Sequence, residues 1–164
     1  MKLLLALFIF NIATATANET FQAVLSKLYP KCKLEKEIIY LDSKQQKKVK
    51  ELSGVTLTSK LANRFKACNG SYIYIDSHIV RTLNQTVVVE VDKDVVKTYK
   101  VSSFLEPKEY KAPVKWLTQL LSKKLSDITL FKKIDGLSGA TLTAKANVNA
   151  AKKILALHRV LSED

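Results

Sequence analysis

Three strand-like runs in the middle of the chain constrain its fold more than any other feature. Tyr72-Ile73-Tyr74-Ile75, Thr86 to Val91 and Val95 to Phe104 are rich in β-branched and aromatic residues. Asp92-Lys93-Asp94, between the last two, has the composition of a hairpin turn. Strands linked this closely pair antiparallel, because a parallel pair needs a long crossover. Glu106-Pro107 ends the sheet region.

Helical patterns flank these runs. Asn18 or Thr20 can cap a short helix that reaches Leu28 and stops at Tyr29-Pro30. Leu34 to Leu41 reads as a further strand. Asp42-Ser43 has the form of an N-cap for Lys44 to Leu52, a mostly polar helix with a solvated face. Leu57 to Ala67 is expected to form another helix, ending at Asn69-Gly70. Beyond the sheet, Trp116, Leu117, Leu120, Leu121 and Leu125 fall on one helical face. A last helix follows Gly139, with Ala144, Val148, Ala151 and Leu155 as its apolar stripe and Lys145, Asn149, Lys152 and Arg159 facing away. No linker rich in Gly, Pro or Ser divides the chain. The expected class is α+β: one domain with a largely antiparallel sheet flanked by helices.

Composition narrows the setting. Hydrophobic residues make up 47% and charged residues 26%, a globular balance that excludes a disordered chain. Lys and Arg number 27 against 15 Asp and Glu, a net charge of +12 that favours anionic partners without choosing among them. Met1-Lys2, the apolar stretch Leu3 to Ile12 and then Ala13-Thr14-Ala15-Thr16-Ala17 follow the basic, apolar, small order of a secretory signal peptide. Cleavage is expected after Ala17, with Ala15 as the alternative. The apolar run falls short of the ~20 residues that span a bilayer. Export would place the mature chain where thiols oxidise, so Cys32 and Cys68 could pair. Two buried thiols remain the alternative. Two cysteines and two histidines are too few for a Cys/His zinc site, and no C-x-x-C-H indicates covalent haem.

Asp135-Gly136-Leu137-Ser138-Gly139-Ala140-Thr141-Leu142-Thr143 is the segment richest in chemistry. Ser138-Gly139 reads as a tight turn into a helix, with small residues that let backbone approach a ligand. Free amides of a first helical turn, together with the helix dipole, suit a phosphate. Thr141 and Thr143 place two hydroxyls there. Ordinary helix capping explains the same spacing.

Asp135-x-x-Ser138-Gly139-Ala140-Thr141 resembles the flavinylation motif of the FMN-binding domain family. That family includes the covalent-flavin subunits of Rnf and sodium-pumping quinone reductase complexes. In it the closing threonine is joined to FMN through a phosphoester, made by a flavin transferase that takes FMN from FAD with magnesium. The resemblance implies attachment at Thr141 and transferase recognition at Asp135, with Ser138, Gly139, Ala140, Leu142 and Thr143 around the cofactor. Phe104 to Tyr110 and Trp116-Leu117 are similar to the family's segment between the sheet and the next helix. There a Glu and a Pro lie near the flavin ring, which implies Glu106 and Pro107 here. Glu106 would accept from ring N–H groups or stand as a solvated turn carboxylate. Tyr110 and Trp116 would pack on the ring by stacking, with a core anchor as the alternative for Trp116. The resemblance spans roughly Ser71 to Leu161.

Ser53-Gly54-Val55-Thr56-Leu57-Thr58-Ser59 is a near-copy of Ser138 to Ala144, identical at five of seven positions. A second flavin on Thr56 is not expected, because Lys50 stands in the place of Asp135 and Val55 replaces Ala140. Both stretches are expected to start helices. His158 reads as a packing residue. His78 is expected in a turn, where it could contact flavin or a redox partner. Asn18, Asn69 and Asn84 begin Asn-x-Ser/Thr sequons, which are incidental in the bacterial protein the family implies.

The resulting expectation is an exported electron-transfer flavoprotein, periplasmic or on the outer face of the cytoplasmic membrane, with one FMN on Thr141. Residues 1–17 would be the signal peptide, 18–70 a helical N-terminal portion and 71–164 the FMN-binding core. Its partners would be the loading transferase and redox proteins, membrane-bound or cytochrome; nucleic acid is not expected. A small basic exported binding module for anionic ligands is the alternative. A stand-alone reductase would need a substrate pocket with acid–base groups, and the sequence identifies no such set.

Overall fold

The computed structural model describes residues 20–163, so the signal-peptide reading lies outside the described residues. Along the chain run α1 (Phe21–Leu28), β1 (Glu35–Tyr40), α2 (Ser43–Ser53), β2 (Leu61–Lys66), β3 (Tyr72–Ile79), β4 (Asn84–Asp92), β5 (Val95–Phe104), α3 (Val114–Leu117) and α4 (Thr141–Ser162). The five strands form one sheet in sequence order, every neighbouring pair antiparallel. The class is α+β, as expected.

Local chemistry sets several of these boundaries. Thr20 caps α1 by accepting from the Ala23 amide. Asp42 and Gln45 form a reciprocal capping box at the start of α2. Lys93 and Asp94 both take left-handed backbone (φ 48° and 65°), the geometry that closes a two-residue hairpin between β4 and β5.

Two faces of the sheet are covered. Side chains alternate along β4, so Val87, Val89 and Val91 face one side and Val88 and Glu90 the other. On the first side lie Ala144, Val148, Ala151 and Leu155 of α4, together with Val49 of α2. On the second, Ile73 and Val88 pack against Val24 and Leu25 of α1. A disulfide joins Cys32 to Cys68, tying the α1–β1 linker to the β2–β3 hairpin across a Cα–Cα distance of 5.7 Å.

Two expected helices are not formed. Residues 61–66 are strand, not helix: β2 is paired on both sides, by β1 and by β3. Leu61 to Lys66 lack a strong local strand signal, and ladder pairing decides. The N-terminal portion therefore contributes two strands to the common sheet. The stripe from Trp116 to Leu125 is also not one helix. α3 lasts four residues, a 3-10 turn follows at Thr118–Leu120, and Leu121 turns extended. The chain is drawn to the start of β5, where the Ser122 amide donates to the Val96 carbonyl and the Val96 amide to the Lys123 carbonyl. Trp116, Leu117 and Leu120 are buried all the same.

Candidate functional site

α4 starts at Thr141 after a turn in which the Ala140 amide donates to the Leu137 carbonyl. Gly139 holds that turn with φ +74°, a conformation that L side chains adopt only at a cost. The N-cap residue is Ala140, and no side chain caps this 22-residue helix. An alanine offers no acceptor, so the first-turn amides and the positive end of the dipole are left to whatever lies in front of them.

In front of them lies an open cavity of about 390 Å³. Gly139 to Thr143 form one wall; Arg81 and Tyr110 form the other. Thr141 is exposed at N1 of the helix. Thr143 is fully buried, and its hydroxyl oxygen has no hydrogen-bond partner. An orphaned buried hydroxyl is costly unless a ligand completes it.

The opposite wall is built by Glu106. The amides of Arg81, Thr82 and Leu83 all donate to its Oε1, at 3.1, 2.7 and 2.8 Å. Those amides, chiefly from Leu83 and Thr82, hold its carboxyl below the usual carboxylate range. Against the alternative of a solvated turn carboxylate, Glu106 is buried and clamps the turn between β3 and β4. The turn carries Arg81, whose guanidinium lies 4.3 Å from the centre of the Tyr110 ring. Pro107 precedes the 3-10 turn Lys108–Tyr110 that presents this ring.

Trp116 is corrected from a stacking candidate to an anchor. It is 7% exposed and its indole N–H donates to the Asp135 carbonyl at 3.0 Å. Gln119 Oε1 accepts from the Asp135 amide, also at 3.0 Å. Backbone pinning on both sides leaves the Asp135 side chain exposed and outside the cavity, as is Ser138. The structure therefore gathers Tyr110, Gly139, Ala140, Thr141, Leu142 and Thr143 around one space, with Glu106 and Pro107 shaping its far wall. Trp116 and Asp135 fix the approach to it.

Asn147 secures α4 from below. Its Oδ1 accepts from Gln85 Nε2 and from the Tyr99 hydroxyl, both at 2.9 Å, while its Nδ2 donates to the Thr143 carbonyl at 2.8 Å. His78 is within β3, not in a turn. It meets Asp76 at 2.9 Å and Gln85 at 3.1 Å and lines a separate cavity along α4. Arg81 was missed in the sequence. It lies in a turn outside any motif, and only its convergence on the helix start marks it.

Residues 83–156 match the model of the FMN-binding domain family. The match covers 74 of the 164 residues. The matched span opens beside Arg81 and encloses Glu106, Tyr110 and the Ser138–Thr143 segment, so it takes in most of the cavity wall. No curated protein and no solved structure gives a significant match. The residues present fit the group: an uncapped helix start for a phosphate, an orphaned hydroxyl and an aromatic wall.

Proposed function

We propose that this protein is an exported electron carrier whose FMN is joined through a phosphoester to Thr141. The observation that carries the reading is the position of Thr141. Thr141 is exposed as the first residue of an uncapped long helix and lines the cavity within the matched span. In loading, the Thr141 oxygen bonds to the FMN phosphorus of FAD, the pyrophosphate bond breaks, AMP leaves and the hydroxyl proton is released. A flavin transferase with magnesium performs that step. Asp135, held by its backbone with its side chain outward, is the group offered to the transferase.

When bound, FMN supplies reversible electron transfer. The chain's own residues would hold it: the first-turn amides of α4 for the phosphate, with Thr143 behind them, and Tyr110 for the ring. No helix among the described residues is long and apolar enough to cross a membrane. The disulfide suits an oxidising compartment. Exposed Lys108, Lys111 and Lys115 flank Tyr110 and would steer an acidic redox partner.

The reading is tested by co-expression with a flavin transferase and intact-mass measurement. The wild type is expected to gain one FMN unit and Thr141→Val none. A variant that still gains the full mass would remove Thr141 from the role. Electron transfer to an acidic partner protein should slow as salt rises; a flat salt profile would remove the steering lysines.

A further inference from the structure

Arg81 faces the start of α4 across the cavity, and both are positive. The guanidinium is a permanent cation, and the helix start carries roughly half a positive charge on unpaired amides. Like charges turned toward one space repel unless an anion lies between them. Glu106 feels the Arg81 charge, but its Oε1 accepts three amides from the turn that carries Arg81 and it forms no ion pair with the guanidinium. No ion pair of Arg81 occurs among the described residues. Thr143, whose buried hydroxyl has no partner, is among the residues that line the same space.

We propose that Arg81 is the anion clamp of this site, taking the phosphate group of the flavin against the first turn of α4. This rests on the reading of Thr141 as the attachment point, and it adds a residue that lies outside the matched span. Tyr110 supports the guanidinium from below by cation–π contact, 4.3 Å from centroid to carbon. Glu106 sets its position through three amides rather than by touching the ligand. The planar fork of Arg81 meets two phosphate oxygens, which a lysine cannot reproduce.

Three proteins test it: wild type, Arg81→Gln and Arg81→Lys, each co-expressed with transferase and each also prepared unloaded. The first readout is the loading rate. Arg81→Gln is expected to load about tenfold more slowly or worse, with Arg81→Lys between. The second is the rise in Tm between unloaded and loaded protein, which does not involve the transferase. Loading should raise the Tm of the wild type, and this gain should shrink sharply in Arg81→Gln relative to its own unloaded form. Equal loading rates, or an undiminished Tm gain in Arg81→Gln, would overturn the clamp. A wild type that takes no flavin beside a labelled control substrate would overturn the Thr141 reading itself, a separate failure visible before any Arg81 variant is compared.

Discussion

Ser53-Gly54-Val55-Thr56-Leu57-Thr58 and Ser138-Gly139-Ala140-Thr141-Leu142-Thr143 differ at one position, yet they lie at opposite poles of two helices. Both glycines are left-handed, at φ +72° and +74°. Gly54 closes α2, its amide donating to the Lys50 carbonyl. Gly139 sits in the turn that opens α4. The expectation that both stretches begin helices fails for the first. Polarity follows from that difference. The end of α2 presents carbonyls, the negative pole, and Lys152 approaches Gly54 as a counter-cation, 4.0 Å from where its Cβ would be. The start of α4 presents amides, with Arg81 opposite. One stretch repels a phosphate and the other attracts it. Ser53 is internal, its hydroxyl donating to the Val49 carbonyl at 2.7 Å and accepting from the Val55 amide at 3.0 Å. Ser138 is exposed. The same short string of residues closes one helix and opens the other beside a cavity.

The largest effect expected from breaking this contrast is all or none. Thr141→Val should abolish flavin loading, while Thr56→Val should leave it unchanged by in-gel fluorescence. Next comes the disulfide, which belongs to the half that holds the first copy. Replacing Cys32 and Cys68 by Ser opens a loop of 36 residues and should lower stability by about 4 kcal/mol in the chain-entropy model, read by denaturant unfolding. Any folded fraction should still accept flavin. Smaller again are the two glycines. Gly139→Ala places a Cβ in a left-handed turn at a cost of about 1–2 kcal/mol. It should slow loading more than it lowers Tm. Gly54→Ala should lower Tm by about 2–4 °C and leave loading alone. A Gly54 variant that impaired loading would erase the functional difference between the two poles.

The smallest expected effect concerns the far end of α4. His158 is buried, with Nδ1 3.0 Å from the Tyr74 hydroxyl and the Tyr72 ring beside it. Burial, then the neighbouring Arg64, holds its pKa below the usual histidine value, with Asp94 opposing. The unfolded chain therefore binds a proton that the folded one refuses. Stability from this group is full above about pH 6.5 and falls as pH drops through the folded pKa. Tm measured between pH 7.5 and 5 should fall more steeply in the wild type than in His158→Gln. Parallel profiles would remove His158 as the cause.

Legibility followed the strength of local signals. β4 and β5 have dense β-branched residues and a two-residue turn, and α2 has its capping box, so these elements could be read directly. β2 could not: Ala62, Arg64 and Phe65 carry no strong alternation, and their structure comes from pairing with strands on both sides. Trp116 looked equally suited to a ring or a core, and its indole N–H settles on the Asp135 carbonyl. The turn into α4 at Thr141 was legible because Ser138 to Thr143 are contiguous in sequence. Arg81 was not, because 60 residues separate it from Thr141 and only the Glu106 clamp brings its turn to the cavity.

The most direct measurement is peptide mapping of the wild type after co-expression with an active flavin transferase, following a denaturing gel under ultraviolet light. A fluorescent band with one FMN on the peptide containing Thr141, and an unmodified peptide containing Thr56, is the expected result. A dark band beside a labelled control substrate, or FMN on the Thr56 peptide, would contradict the assignment of the flavin to the positive pole of α4.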